Sequence, residues 1–380
     1  MRCCRVWPES ASSFLISAIW SALISLRQRD MSPDTLEALG IPVIYLGRSK
    51  FDPATLPALL TELDRLQADV VHLHGYGATT FGRMAAARRK LPVVLHEHAN
   101  LTSTPWFQKI ADRMLARYTD VAIAVSRSTA GFVVNARLVP AERTHVVYLG
   151  VPLAEFARAR SAEEIRAARA HLGVPDGAMP MGTVTRLMPS KGNEYLVAAA
   201  AAVVQQLPEA RFYVAGEGDQ QASLEAQAQA LGLADRFVFV GFQRDVGAVL
   251  SALDLVVFPS LWEGTPLTAF EALAMGKPIV ATDADGLADI LTDGVDARIV
   301  PRRDPGALAR AIIDLARDPA ARAALGSRAR VTGARYDIDV FVRKMERLYE
   351  LLSEAARSSP RTTIPRADLA FLERGSESVS

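Results

Sequence analysis

Residues 263–291 read EGTPLTAFEALAMGKPIVATDADGLADIL, and the fold is decided by this stretch. An apolar run at 255–258, short enough for a strand, precedes it, and Glu263 and Gly264 form a polar turn. Thr265-Pro266 then has the form of an N-cap followed by proline at the first helical position, where the missing N–H costs nothing. The helix is expected to run to about Met275. Gly276 suits the left-handed position just past its end, and Pro278 stops it, so the chain re-enters a sheet at 278–281. Glu263 precedes the helix and Glu271 lies within it. Between them the helix start offers N–H groups and a positive dipole end, which suit a phosphate.

Outward from this unit the chain alternates short apolar strands with helices, the pattern of parallel sheets covered on both faces. Before it come strands at 181–185, 211–215 and 237–240 with helices at 194–206, 221–231 and 246–252. After it come a strand at 298–300 and a helix at 305–316. The first half repeats the alternation, with strands at 42–46, 69–73, 92–95, 121–125 and 144–148. The expected fold class is α/β, with two Rossmann-like, doubly wound domains facing across a cleft. The expected boundaries are an N-terminal domain at 1–152, a crossing at 153–177 and a C-terminal domain at 178–334. A helix at 335–356 packs back on the first domain, and 357–380, rich in Ser, Arg and Glu, is a disordered tail.

Composition narrows the function. At 380 residues, half of them hydrophobic, neither domain lacks core material, and a net charge of +1 argues against nucleic acid as a partner. The Arg-rich stretches 83–90 and 302–310 read as solvated helix faces. The two cysteines, Cys3 and Cys4, are adjacent and close no useful loop, so a reducing cytoplasm is the natural setting. The apolar run 14–26 is too short to span a bilayer comfortably and reads as a helix packed on the first domain.

Several residues could carry chemistry. Arg186 and Lys191 lie in the loop after the first strand of the second half, where two cations can pair with a diphosphate and stabilise charge growing on it. Gly216, after the next strand, belongs to a turn that lets backbone approach a ligand, and Phe242 ends the strand after that. Asp283-Ala284-Asp285 reads as an acidic turn rather than a metal pair. Four of the six histidines fall in two H-x-H pairs at strand ends, His72 with His74 and His96 with His98. Positions i and i+2 of a strand share a face, so the four could surround a metal, which would suggest a metal-dependent hydrolase. The competing reading is that strand ends gather polar residues for other reasons, with His72 and His74 structural.

The strings EG-x-P-L-x-x-x-EA-x-A-x-G-x-P-I-V-A-T at 263–282 and T-R-L-x-x-x-KG at 185–192 resemble the family 4 retaining glycosyltransferases of the GT-B fold. The resemblance spans approximately 39–352 and is strongest at 182–290. It implies a UDP- or GDP-sugar donor, a glycan or lipid-linked acceptor, retention of anomeric configuration, and no obligatory cofactor or metal. By the same resemblance Arg186 and Lys191 bind diphosphate, and Glu263 meets the sugar hydroxyls. Gly264, Thr265, Pro266 and Leu267 line the phosphate or sugar, and Glu271 accepts from the ribose hydroxyls. Gly216 and Phe242 lie near the nucleotide, and His98 contacts the donor sugar, with His96 as the second choice. The expected enzyme is a cytoplasmic hexosyltransferase of cell-surface polysaccharide or glycoconjugate synthesis, peripheral to the inner face of the plasma membrane. Members of the family begin with a strand and a Gly-Gly loop, and nothing in 1–38 matches it, so a truncated or different start is expected. That departure motivates the alternative of a catalytically impaired nucleotide-sugar-binding protein.

Overall fold

A computed structural model describes residues 21–26, 36, 38, 40–49, 52–100, 105–358 and 364–373. The chain forms two compact units, one of 1–152 with 338–380 and one of 153–337.

In the first unit β3 (Val71–His74), β4 (Val93–Glu97), β5 (Val121–Ala124) and β6 (Thr144–Val146) form a parallel sheet in that order. The period of two along a strand sends alternate residues to opposite faces. Val94, Val121 and Ile123 therefore meet Met345, Leu348 and Leu352 of the C-terminal helix Ile338–Ser358, whereas Leu95, Ala122 and Ala124 meet Val133 and Val139 on the other side. Each fully buried Leu or Val in such a core contributes ~1.5–3 kcal/mol relative to exposure. Within the expected disordered tail, Arg366–Leu372 instead forms a 3-10 helix, because Leu369 and Leu372 join the core under the C-terminal helix. Residues 359–363 and 374–380 lie outside the described residues.

A second correction concerns the apolar run 14–26. Residues 14–20 lie outside the described residues, but Leu23–Ser25 is a strand, β1, paired in parallel with β2 (Val43–Tyr45). The unit thus has a strand where the sequence suggested helix. Three ladder residues inside a longer apolar run give too little alternation to be read as strand.

The second unit carries a six-stranded parallel sheet in the order β12-β11-β10-β7-β8-β9. These are β7 (Met179–Val184), β8 (Ala210–Ala215), β9 (Phe237–Gly241), β10 (Leu255–Phe258), β11 (Ile279–Thr282) and β12 (Arg298–Val300). Counted within the unit, the order is 6-5-4-1-2-3, the doubly wound arrangement whose direction reverses between β7 and β10. In doubly wound sheets ligands bind outside the carboxyl ends of the strands at such a reversal, which here is where the loops after β7 and β10 lie. Arg186 and Lys191 follow β7, and Glu263 follows β10. The helices Asn193–Gln206 and Pro305–Arg317 cover one face of the sheet, with Leu196, Val203, Leu308 and Ile312 packed on Met181, Phe212, Val257 and Val280.

Helix Pro319–Gly333 was not anticipated, because its small and arginine residues give no apolar stripe. Asp318-Pro319 was the available signal: the Asp318 side chain accepts from Ala321 N–H, with proline at the first helical position. Its glycines let it lie close on the helix Leu267–Ala274. A Cβ on Gly333 would stand 2.5 Å from Ala274 N.

Candidate active site

The loop after β7 makes a 3-10 turn, Pro189–Lys191, and ends at Gly192 in the left-handed region (φ 62°). Glycine is required there twice over. It relieves the backbone strain, and a Cβ would stand 2.1 Å from Pro259 O. The loop after β10 is bound to the first by backbone: Leu261 N–H and Trp262 N–H both donate to Ser190 O, at 2.9 and 3.2 Å. This close approach brings Lys191 Nζ to both carboxylate oxygens of Glu263, 2.7 Å from Oε1 and 2.6 Å from Oε2.

Glu263 is held from further directions. Ser260 Oγ donates to its Oε1 at 2.7 Å, and Thr282 Oγ1 in turn donates to Ser260 O. Gly286 N–H donates to Glu263 O at 3.2 Å, and a Cβ on Gly286 would stand 2.1 Å from Gly264 O. The carboxylate is therefore buried, 5% exposed, and among the described residues it accepts from the Lys191 ammonium and the Ser260 hydroxyl. Sequence reasoning missed Ser260. The signal was a hydroxyl three residues before Glu263 at a strand end.

The helix after Glu263 starts later than expected. Pro266, at ψ 98°, occupies the N-cap and the helix is Leu267–Ala274, with no side-chain cap at its start. Thr265 is thus not the cap. The cause is that Pro266 stays extended, and its carbonyl accepts the first helical bond from Ala269 N–H at 2.9 Å. An uncapped start aims first-turn N–H groups outward, the donors an anion uses. At the other end Gly276 (φ 66°) is left-handed, as expected, and Arg330 Nη2 donates to Met275 O at 2.9 Å. Glu271 lies within this helix, 1% exposed. Gly264 and Pro266 are buried, while Thr265 and Leu267 are half-buried.

Other expected residues are placed differently. Arg186 is exposed and takes no part in the Lys191–Glu263 cluster, although it shares the loop. Gly216 (φ 135°) serves backbone packing: a Cβ there would stand 1.8 Å from Thr185 O, and its N–H donates to Gly241 O at 2.7 Å. Phe242, the next residue after β9, presents its ring to solvent, 63% exposed. Arg302 ties down the Asp283-Ala284-Asp285 turn through Asp283 at 3.1 Å and Asp285 at 3.3 Å, and it donates to Leu261 O at 2.9 Å. The acidic turn thus braces the β10 loop, and Arg302 is a structural tie rather than part of a solvated face.

In the first unit the strand ends carry two polar clusters. Arg83 is wholly buried, contrary to its reading as a solvated helix residue, because Asp112 accepts from it. Asp112 also accepts from Arg137 at 3.0 Å, and Arg137 donates to Glu97 at 2.9 Å. Burial pushes the Glu97 carboxyl up from its ordinary value, with Arg137 opposing.

The second cluster gathers His72, His74, His96 and His98. His74 Nδ1 is 2.8 Å from His98 Nε2, His72 Nδ1 is 2.5 Å from the Tyr349 hydroxyl, and the rings of His96 and His98 stack at 4.2 Å. Burial drives His72 and His96 well below the ordinary histidine value, aided by neighbouring imidazoles. His74 and His98, which keep an edge in solvent, fall to about 4, chiefly through crowding by surrounding protein. All four are neutral at pH 7. His98 is exposed, whereas His96 is 2% exposed beneath it and is unsuited to the sugar contact offered as second choice.

No helix among the described residues is long and apolar enough to cross a membrane. The profile for glycosyl transferases group 1 matches residues 164–332, and that for glycosyltransferase family 4 matches 23–155. The 2-deoxystreptamine N-acetyl-D-glucosaminyltransferase of Streptomyces fradiae is 31% identical over 295 residues, covering 72% of this chain and 69% of its own. An Escherichia coli UDP-Gal:alpha-D-GlcNAc-diphosphoundecaprenol alpha-1,3-galactosyltransferase is 25% identical over 300 residues, 76% of this chain and 77% of its own. Among solved structures, Anabaena Alr3699/HepE in complex with UDP-glucose superposes with a TM-score of 0.71 at 25% identity, covering 85% of this chain and 88% of its own. With both domains matched and the doubly wound sheet carrying Lys191 and Glu263 at its reversal, the chain belongs to the group 1, family 4 glycosyltransferases of the GT-B fold.

Proposed function

We propose that the protein transfers a hexosyl unit from a UDP-sugar to a glycan or lipid-linked acceptor with retention of configuration. The observation that carries this reading is the Lys191–Glu263 pair, held by backbone where the six-stranded sheet reverses direction. Its immediate neighbour is an uncapped helix start. UDP is preferred over GDP because the Anabaena relative was solved with UDP-glucose. The acceptor class follows the lipid-linked diphosphate named for the Escherichia coli relative.

In this reading Lys191, Arg186 and the helix-start N–H groups bind the diphosphate, and Glu271 accepts from the ribose hydroxyls. The bond from the anomeric carbon to the β-phosphate oxygen breaks, and the acceptor oxygen bonds to that carbon on the same face. The acceptor's proton passes to the departing phosphate, whose growing charge the two cations and the helix dipole stabilise. Glu263 orients the sugar hydroxyls, His98 contributes a further sugar contact, and none of these steps calls for a metal. Gly216 acts through the loop it packs, and Phe242 offers a face to the base.

The test is turnover of UDP-hexoses with mixed acceptors, reading the anomeric configuration of the product by NMR. UDP binding is measured in parallel by calorimetry, with 2′-deoxy-UDP as comparison. Retained configuration and a loss of affinity for 2′-deoxy-UDP that vanishes in Glu271→Gln support the reading. Inverted product overturns the retaining mechanism, and UDP binding without turnover of any hexose leaves a binding protein.

Membrane association is part of the same reading. Helix Trp106–Leu115 is inverted: it buries Gln108 and Asp112 and exposes Trp106, Phe107, Ile110 and Met114 beside Lys109 and Arg113. Apolar anchors flanked by cations suit an anionic bilayer surface, where a lipid-linked acceptor resides. Cosedimentation with phosphatidylglycerol vesicles, abolished in a Trp106→Ser Ile110→Ser variant and absent with phosphatidylcholine, is the expected result. Equal pelleting of the variant would sink it.

A further inference from the structure

We infer that His72, His74 and His96 form a binding site for one first-row divalent cation of the zinc class, built into the strand ends of the first unit. The site goes beyond the transferase reading, which requires no metal. β3 and β4 are adjacent and in register, with His72 opposite Val94 and His74 opposite His96, so three imidazoles are brought together by the ladder itself. One ring atom from each lies within 4.8 Å of the other two. Zinc–nitrogen bonds of 2.0–2.1 Å in a tetrahedron set ligand atoms ~3.4 Å apart, so binding draws the rings in by ~1 Å through small side-chain rotations.

The hydrogen bonding of the rings points the same way. His96 is nine-tenths buried and more, and neither of its nitrogens has a hydrogen-bond partner among the described residues. His72 Nε2 is likewise buried and unpartnered, while its Nδ1 is fixed by the Tyr349 hydroxyl. Buried imidazole nitrogens are ordinarily satisfied, and a neutral imidazole has one lone-pair nitrogen, so a metal ion would take up His72 Nε2 and one of the two His96 nitrogens. Tyr349 and His98 stand where outer partners of ligating histidines stand. Each engages the Nδ1 of a ring, leaving Nε2 of His72 and His74 to coordinate. An all-imidazole set with no carboxylate or thiolate selects Zn²⁺, Co²⁺, Ni²⁺ or Cu²⁺ over Mg²⁺ and Ca²⁺. Three imidazoles around a tetrahedral ion leave a fourth position for water.

The experiment uses the full chain without a histidine tag, stripped with a chelator and dialysed, then titrated with Zn²⁺ against a chromophoric competitor. Binding of one equivalent, at micromolar or tighter affinity, and a four-coordinate Co²⁺ spectrum are expected. His74→Asn, on the exposed side of the cluster, should weaken Zn²⁺ at least tenfold, and His72→Gln should do the same. Mg²⁺ should not compete. The site is overturned if the wild-type protein binds less than one equivalent, or if both variants bind Zn²⁺ as tightly as the parent. UDP affinity of the stripped protein, measured alongside, separates this outcome from the fate of the transferase reading.

Discussion

The two units bury ion pairs in opposite ways. In the first, Arg83, Arg137, Asp112 and Glu97 are two cations and two carboxylates drawn from three helical segments and β4, with side chains no more than 7% exposed. Both carboxylates accept from guanidiniums of the same network, which staples its helices to the sheet, and Arg83 Nη1 is left buried without a partner among the described residues. In the second, Lys191 and Glu263 stand on loops rather than on the bodies of helices, with Lys191 15% exposed and an uncapped helix start following directly. That pair is open: an ammonium has three donors, and a phosphate can compete for them. Burial of a salt bridge therefore says little about its role. The elements that carry the charges distinguish a strut from a site.

The largest expected effect tests the strut. Asp112→Ala leaves two buried guanidiniums facing one carboxylate, and removing one member of a buried pair costs ~3–5 kcal/mol. Urea unfolding of the first unit should move by that amount, while UDP affinity of the still-folded protein stays unchanged. A shift below ~1 kcal/mol, the value of an exposed pair, would show that the network does not staple the unit.

Next comes the open pair, where the two partners should diverge. Lys191→Ala removes a diphosphate cation and should weaken UDP at least ~10-fold, as expected for a charged hydrogen bond. Glu263→Ala releases Lys191 toward phosphate, so UDP affinity should hold or rise while transfer falls ~100-fold, the scale for losing one preorganised polar contact at the reacting sugar. If Glu263→Ala weakens UDP as much as Lys191→Ala does, the pair is a second strut and the contrast between the units fails.

The contrast also explains what the sequence revealed. Glu263, Gly264, Pro266, Gly276 and Pro278 each answer a local demand of turn or helix end, so the strand-helix-strand unit was legible to within a residue or two. Lys191 and Glu263 could be singled out because loops at strand ends carry few core obligations, but that they pair with each other, and that Arg186 stands apart from them, appears only in the structure. The buried network of the first unit was not legible: Arg83 sits among other basic residues on its helix, and its partner Asp112 is 29 positions away. The same holds for β1, a three-residue ladder, and for Arg366–Leu372, whose burial depends on the C-terminal helix. The histidines were visible as two H-x-H pairs, but the missing partners of His96 appear only once β3 and β4 are side by side.

The smallest effect falls on Ser260, the residue the sequence did not single out. Its hydroxyl donates to Glu263 Oε1 at 2.7 Å, on the carboxylate that also takes Lys191. Ser260→Ala leaves the ion pair intact and removes one of the groups that orient it. A hydrogen bond to a charged group is worth ~1.5–3 kcal/mol at most, and the remaining Lys191 contact keeps Glu263 charged and held, so the loss should lie toward the lower end. Transfer should therefore fall ~10-fold, with UDP affinity unchanged, since Ser260 touches neither Lys191 nor the helix start in the described contacts. Unaltered turnover in Ser260→Ala alongside a large loss in Glu263→Ala would mean that Lys191 alone positions the carboxylate. A loss of UDP affinity instead would mean that the hydroxyl acts through the loop, whose carbonyl at Ser260 is already engaged by Thr282.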